Sequence, residues 1–505
     1  MRSPAPPSSP SWEDPTVRRA SRVIGGPMGR YAASASTFWT PVRVMLVICA
    51  VTLLLAWAQK SPCANARWAH HRQYSEFCYS DILPLWGTER LDVGAVPYRD
   101  QAVEYPVLTG GFMWMSAEIT RAAAAVEGTH DTIVVFGVVS AVLLALLGLA
   151  TLWFTAGAAE PRPWDAAIFA ASPLLVFHAY TNWDLLATTL TAAALWAWAR
   201  RRPVAAGALM GLGAAAKLYP MLLLLPIWVF AVRTRRYQPA AWCTVAATFA
   251  WLAVNLPVAA GYYSGWKEFY VFSADRPAEA STLWQMAHYL TSVGLWGGNA
   301  SDWVPPGLAV AIVVVMAVGL VGWLGLNAPV KPRVAQLAFL AVAAFLLTTK
   351  VWSPQYSLWL LPLLALARPR WRVSLLWQFS EIAVWMVTSL WLATGSDTAT
   401  EASRGPTYGW VALTCLIRDG FLVVLCVLIV REMWNPQLDV IRVSGLDDPG
   451  GGPYDNAIDY RSEAALQERQ MEVLYAIQAE DLAGPPGPDP PARHRAAPPS
   501  VPPGQ

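Results

Sequence analysis

Long apolar runs, closed off by short clusters of arginine and lysine, constrain this chain more than any other feature. Runs near 43–59, 132–157, 165–180, 183–199, 204–217, 219–232, 238–258, 306–327, 334–349, 351–368, 372–394 and 408–431 carry little charge. About 20 such residues cross a bilayer as a helix, and tilt or local thinning absorbs a shortfall. Only 14% of the 505 residues are charged, against about a quarter in soluble domains. The fold class defined by these runs is an all-α polytopic membrane protein of about 12 transmembrane helices. Tryptophans at run ends, among them Trp39, Trp57, Trp153, Trp164, Trp183 and Trp352, stand where aromatic belts form.

Positive charge orients the runs. Arg200–Arg202, Arg233/Arg235/Arg236, Lys331/Arg333, Arg368/Arg370/Arg372 and Arg431 are expected on the cytoplasmic side. Both termini then lie inside, and the first external loop, 60–131, lies outside. This register requires the run 105–121 to be an interfacial or re-entrant helix, in keeping with its Gly110, Gly111, Trp114 and Glu118. Residues 1–40, rich in Pro, Ser and Arg, read as a disordered cytoplasmic arm, and 41–432 as the transmembrane domain. Residues 433–505 read as a cytoplasmic, mostly disordered tail, with Gly/Pro blocks around a helix near 460–482. The net charge of +2 says nothing about nucleic acid, but no run of Lys/Arg forms a binding stripe, so no nucleic-acid partner is expected; membrane lipids are the expected surroundings.

Cys78 to Pro106 breaks this apolar pattern with Asp81, Glu89, Asp92, Asp100 and Glu104 set among Trp, Tyr and Pro. On the same side the register puts Tyr180-Thr-Asn182-Trp-Asp184, Lys217-Leu-Tyr219-Pro220, the segment 259–305, and Lys350-Val-Trp352-Ser-Pro354-Gln355-Tyr356. Asp81 precedes an apolar stretch that holds it at the membrane surface, where it serves as a general base or as a loop acid or helix cap. Asp100 and Glu104 cap the following helix or touch substrate. Lys217 and Lys350 end apolar runs against the charge trend, so they bind a lipid phosphate or snorkel to the interface. Asn182, Asp184, Gln355 and Tyr356 suit sugar hydroxyls or satisfy backbone at broken helices. His288 is a candidate for the site lining, whereas His178 reads as packing. Arg418, Asp419 and Glu381 fall inside spans and read as an ion-paired group. Cys63 and Cys78, both outside, are candidates for a disulfide; the other four cysteines lie in apolar runs. No metal-ligand spacing is present, so neither metal nor cofactor is expected.

The pattern Ser80-Asp81-Ile82, Gly94-x-x-Pro97-Tyr98-x-Asp100-x-x-x-Glu104-Tyr105-Pro106, Asn182-x-Asp184, Lys217-Leu-Tyr219-Pro220 and Ser353-Pro354-Gln355-Tyr356 resembles glycosyltransferase family 87. The resemblance runs from about residue 45 to 430. It implies a GT-C type fold with Asp81 as catalytic base, and it carries Tyr105 and Tyr219 into the substrate-binding set. It further implies a polyprenyl-phosphate sugar donor and a hexose, mannose in the relatives. The acceptor would be a lipid or cell-envelope glycan on the outer face of a bacterial plasma membrane. Val107 stands where the family often has a second proline, a departure that does not touch the acids. The alternative is a lipid-linked sugar transporter or a non-catalytic membrane scaffold. A transporter concentrates ionisable groups near the midplane between repeats, whereas here they gather in an outer loop.

Overall fold

The computed structural model describes residues 38–65, 68, 71–128, 131–292, 306–394 and 405–462, together with 471 and 474. In chain order the helices that matter here are α1 (Pro41–Lys60), α2 (Ile82–Thr88), α3 (Val107–Glu127), α4 (Thr132–Ala158), α5 (Asp184–Ala199), α6 (Pro203–Ala216), α7 (Leu224–Thr234) and α8 (Tyr237–Gly261). They continue with α9 (Tyr263–Asp275), α10 (Leu283–Ser292), α11 (Gly307–Asn327, with a π-helical stretch Val315–Leu320), α12 (Val334–Thr348), α13 (Ser357–Ala367), α14 (Trp371–Thr394) and α15 (Tyr408–Trp434).

Six of these, α1, α4, α8, α11, α14 and α15, are long and apolar enough to cross a membrane. The other apolar runs form shorter helices in the interior. Helices α12 and α13 have 15 and 11 residues and bury nearly every side chain, as helices apolar on all sides must. The expectation of about twelve similar spans therefore resolves into two populations. The run 165–180 is not one helix: it comprises a 3-10 turn (Pro163–Ala166) and short helices at Ala167–Ala170 and Pro173–His178. Prolines 163 and 173 open two of these pieces, where a missing N–H costs nothing.

Small residues draw the inner helices together. A Cβ on Gly207 or Gly211 of α6 would lie 2.0 and 2.1 Å from the Cys243 and Ala247 carbonyl oxygens of α8. Spaced four apart on one face, these glycines let the two backbones touch. Helix α3 is amphipathic: Met113, Ala117 and Thr120 are buried, Trp114, Met115 and Ile119 are exposed, and Glu118 pairs with Arg121 at 2.5 Å. The Thr109 hydroxyl fastens its first turn to the Ala216 carbonyl at 2.8 Å.

One end of the bundle is closed by the chain following α15. Arg333 donates to both Asp439 carboxylate oxygens (2.7 and 3.1 Å) and to the Leu366 and Ala367 carbonyls. Lys331 reaches Asp447 at 3.0 Å and the Tyr454 carbonyl at 2.7 Å, and Arg233 pairs with Asp459. The Trp198 indole donates to the Gly451 carbonyl at 3.1 Å. Residues 436–462 are thus a folded strap, which corrects the expectation of a mostly disordered tail over that stretch. Of the basic clusters read from the sequence, Arg233, Lys331 and Arg333 are buried, and tail acids among the Gly/Pro turns satisfy them. The arm 1–40 up to residue 37, and all but two residues beyond 462, including most of the helix expected near 460–482, lie outside the described residues.

Cys63 and Cys78 are joined (S–S 2.06 Å, 15 residues apart). Closing a loop of this size contributes about 3 kcal/mol by the chain-entropy estimate. The double variant Cys63→Ser/Cys78→Ser is therefore expected to raise protease cleavage within 60–80 by an order of magnitude or more, about what that energy permits. Equal cleavage of variant and wild type would show that the crosslink does not hold this loop.

Candidate active site

The loop reaches the bundle through its backbone. The Asp81 N–H donates to the Thr181 carbonyl at 2.8 Å, and the Ser80 hydroxyl donates to the Tyr180 carbonyl at 2.7 Å. Asp81 stands just ahead of α2, yet its carboxylate caps no N–H of that helix. Its Oδ1 accepts from the Tyr79 hydroxyl at 2.7 Å, while Oδ2 accepts from Asn182 Nδ2 at 2.8 Å and more loosely from Gln355 Nε2 at 3.5 Å. The Asn182 amide is fixed in turn: its Oδ1 accepts the Trp183 N–H at 2.6 Å, and Nδ2 also reaches the Tyr105 hydroxyl at 2.9 Å. Three separate stretches of chain thus meet at one acid, with Tyr105 one hydrogen bond further on, and none of these contacts is the helix cap that a lone loop aspartate commonly makes.

Lys217 ends α6 and is buried. Its Nζ lies 3.7 Å from Asp184 Oδ2 and above the Tyr105 and Tyr356 rings, 5.1 and 5.3 Å from their centroids. Asp184 opens α5 and accepts the Trp359 indole N–H at 2.8 Å. Trp359 is sandwiched between Tyr219 and Tyr356, with centroids at 4.2 and 4.1 Å. Lys350 is on the rim, its Nζ donating to the Ala274 carbonyl at 2.6 Å.

The turn after α9 brings a third cation, one that the sequence reading did not name. Arg276 pairs with Glu279 at 2.5 Å; Glu279 also accepts the Ser353 hydroxyl at 2.9 Å and donates its N–H to the Lys350 carbonyl at 2.9 Å. In the register read from the sequence, Arg276 falls with Lys217 and Lys350 on the side where basic residues are scarce.

These groups line one cavity of about 680 Å³. Asp81, Glu104, Tyr105, Asn182, Lys217, Tyr219, Lys350, Gln355 and Tyr356 all face it, with Arg276 and Glu279. Its remaining wall is apolar, with Ala309, Val310 and Val313 from α11 and Val384 and Leu392 from α14. Burial pushes the Glu104 carboxyl above its usual range, against the pull of Arg276. Glu279 moves the same way for the same reason, opposed by Arg276 and the Ser353 hydroxyl.

Three residues named from the sequence do not line the cavity. Asp184 lies beneath it as the counter-ion of Lys217. Asp100 belongs to an exposed turn, where it pairs with Arg99 at 2.8 Å and caps the Val96 N–H at 2.9 Å. The hydrogen bond from Arg99 brings its carboxyl down to about 2. His288 sits on α10 away from the lining. Among the described residues no group of three His, Cys, Asp or Glu is arranged to hold a metal ion.

An all-helical bundle with several membrane-length spans, whose cavity joins an acidic loop to an apolar wall, has the build of a GT-C type membrane glycosyltransferase. The sequence model of glycosyltransferase family 87 matches residues 124–354, and over that stretch the chain is similar to the family. Its activity is accordingly glycosyl transfer. The match includes Asn182, Asp184, Lys217, Tyr219, Arg276 and Lys350; Asp81 through Tyr105 precede it, and Gln355 and Tyr356 follow it. No curated protein gives a significant match to the chain.

Burial changes what a Lys217 substitution does. Removing one partner of a buried ion pair costs about 3–5 kcal/mol, whereas replacing both with apolar groups is often neutral. Lys217→Met is expected to lower the melting temperature in detergent, and Lys217→Met/Asp184→Leu to recover most of the loss. Equal destabilisation of the single and double variants would mean the two charges are not coupled.

Proposed function

We propose that the protein moves a hexose, mannose by its resemblance, from a polyprenyl-phosphate sugar to a lipid or cell-envelope glycan acceptor at the outer face of a bacterial plasma membrane. The observation that carries this reading is the Asp81 carboxylate. It is oriented by Tyr79 and Asn182 in a cavity that also holds Lys217, Arg276 and Lys350 and ends in an apolar wall. The arginine-rich strap end is read as cytoplasmic by the positive-inside rule, which leaves the cavity end outside.

In this mechanism Asp81 Oδ1 or Oδ2 takes the proton of the acceptor hydroxyl as that oxygen attacks the anomeric carbon. The bond from the anomeric carbon to the phosphate oxygen breaks, and its electron pair leaves with the polyprenyl phosphate. Arg276, Lys350 and the partly compensated Lys217 steady the charge that develops on the phosphate. Isoprenoid chain lies along the α11 and α14 side chains. A single in-line displacement inverts the anomeric centre, so a β-linked donor gives an α-linked product.

Asp81→Asn keeps the shape of the side chain and loses the proton acceptor. Removal of general-base catalysis typically costs a factor of about 10² to 10⁴. The variant is expected to insert, fold and bind donor while transferring less sugar by that factor, measured with radiolabelled polyprenyl-phosphate mannose in membrane fractions. Wild-type rates from Asp81→Asn would remove this residue from the chemistry; a dead Glu104→Gln beside them would move the base to Glu104.

A further inference from the structure

The last turn of α1 reaches across to the segment that leads into Asp81. Gln59 Nε2 donates to the Phe77 carbonyl at 2.6 Å, and Lys60 Nζ donates to the Tyr79 carbonyl at 2.7 Å. The residue between them, Cys78, is bonded to Cys63 just beyond the same helix. Phe77 is held in the left-handed region, with φ at 57°. A bulky residue adopts that backbone only where its surroundings impose it, and such positions gather at functional sites. Residues 77 to 79 are thus pinned one after another to a single helix end, and Asp81 follows two residues later.

Lys60 is the costly member of this set. It is only 4% exposed, and among the described residues it forms no salt bridge. Its ammonium has the Tyr79 carbonyl as acceptor and the Trp385 ring 5.5 Å away, measured to the centroid. A lysine that only complements the carbonyl end of a helix does so from the surface, with its head in water. Burying the charge against one carbonyl and one ring face is expensive. What the burial secures is the place of Tyr79. That ring is further restrained by Tyr74 (centroids 5.6 Å apart, planes at 17°) and Trp68 (5.7 Å), and its hydroxyl donates to Asp81 Oδ1 at 2.7 Å.

We propose that Lys60 is a positioning residue for the transfer step. By anchoring the Tyr79 carbonyl it aims the Tyr79 hydroxyl at Asp81 Oδ1, and so fixes the carboxylate in the orientation from which it takes the acceptor's proton. This rests on the reading of Asp81 as base. Lys60 itself touches neither donor nor acceptor, because it does not line the cavity; it acts through Tyr79. An interaction that orients the base is felt in the transition state and not in the binding of the donor, so its loss belongs in kcat and not in KM.

The test is a double-mutant cycle on turnover. Full-length protein in nanodiscs is given radiolabelled polyprenyl-phosphate mannose as donor and lipids extracted from the parent membranes as the acceptor pool. Rates are taken per molecule of folded, monodisperse protein. Lys60→Met keeps most of the stem and removes the ammonium; Tyr79→Phe keeps the ring and removes the hydroxyl. Each is expected to lower kcat by about tenfold, the size of one lost hydrogen bond to a charged group, with the donor KM unchanged. Because both act through one contact, the double variant is expected to stay near the single-variant rate, where independent losses would multiply to about a hundredfold. Multiplying losses would show that Lys60 does not act through Tyr79 and overturn the proposal. So would a wild-type kcat with only the folded yield reduced, as a purely structural lysine would give, or a rise in donor KM in place of a fall in kcat. If Lys60→Met yields no folded protein, Lys60→Gln, which keeps a shorter donor, is taken through the same cycle and judged by the same outcomes. Wild-type rates from Asp81→Asn would defeat the base reading itself, and that measurement is independent of the cycle between residues 60 and 79.

Discussion

The backbone hydrogen bond from Asp81 to Thr181 is the contact on which the site depends. It joins residues 100 positions apart and is doubled by the Ser80 hydroxyl on the Tyr180 carbonyl. A loop acid without such a tether would sweep through solvent, and pre-organisation would be lost with it. With it, the Asp81 carboxylate enters a network in which Tyr79 and Asn182 donate to it and the Asn182 amide also donates to the Tyr105 hydroxyl. Networks of this kind in a low-dielectric surrounding hold their geometry cooperatively.

A second tether works from the opposite side of the cavity. Arg418, within α15, sets its guanidinium 3.6 Å from the centroid of the Trp352 ring and donates to the Ser281 carbonyl at 2.5 Å and to Asp419 at 2.8 Å, with Glu381 at 3.8 Å. Ser281 in turn donates to the Trp352 carbonyl at 2.6 Å. One buried cation thus holds together the turn that carries Arg276 and Glu279 and the segment that carries Lys350 and Ser353. A membrane interior tolerates such a charge only when it is this fully partnered.

The parts legible in the sequence are those where composition changes abruptly. Asn182, Lys217, Tyr219, Gln355 and Tyr356 sit at the ends of apolar runs, where polar residues and proline have little other reason to occur, and the structure gathers all five at one cavity. Asp184 and Asp100 read identically in one dimension. Only packing separates a buried counter-ion from an acid on an exposed turn. Hydropathy identified the runs but could not tell a lipid-facing helix from a shorter one enclosed by others, because both are apolar. The strap was hidden for the opposite reason. Its Gly, Pro and Asp residues have the composition of disordered chain, and their order comes from arginines more than 60 positions away, such as Arg333 for Asp439.

That strap has a mechanical consequence. Helix α5 begins at Asp184 beneath the cavity and ends near Trp198, roughly 24 Å away at 1.5 Å per residue, where Gly451 receives the indole N–H. Helices α12 and α13 likewise run between the cavity and Arg333 or Arg368, and the latter is bound to Glu432 at 3.0 Å. The inner helices are therefore fastened together at their far ends and free of that fastening only where they meet the site. Such an assembly is braced as a tripod is, by its feet. On the function proposed above, donor and acceptor would therefore meet the site from its unclamped end.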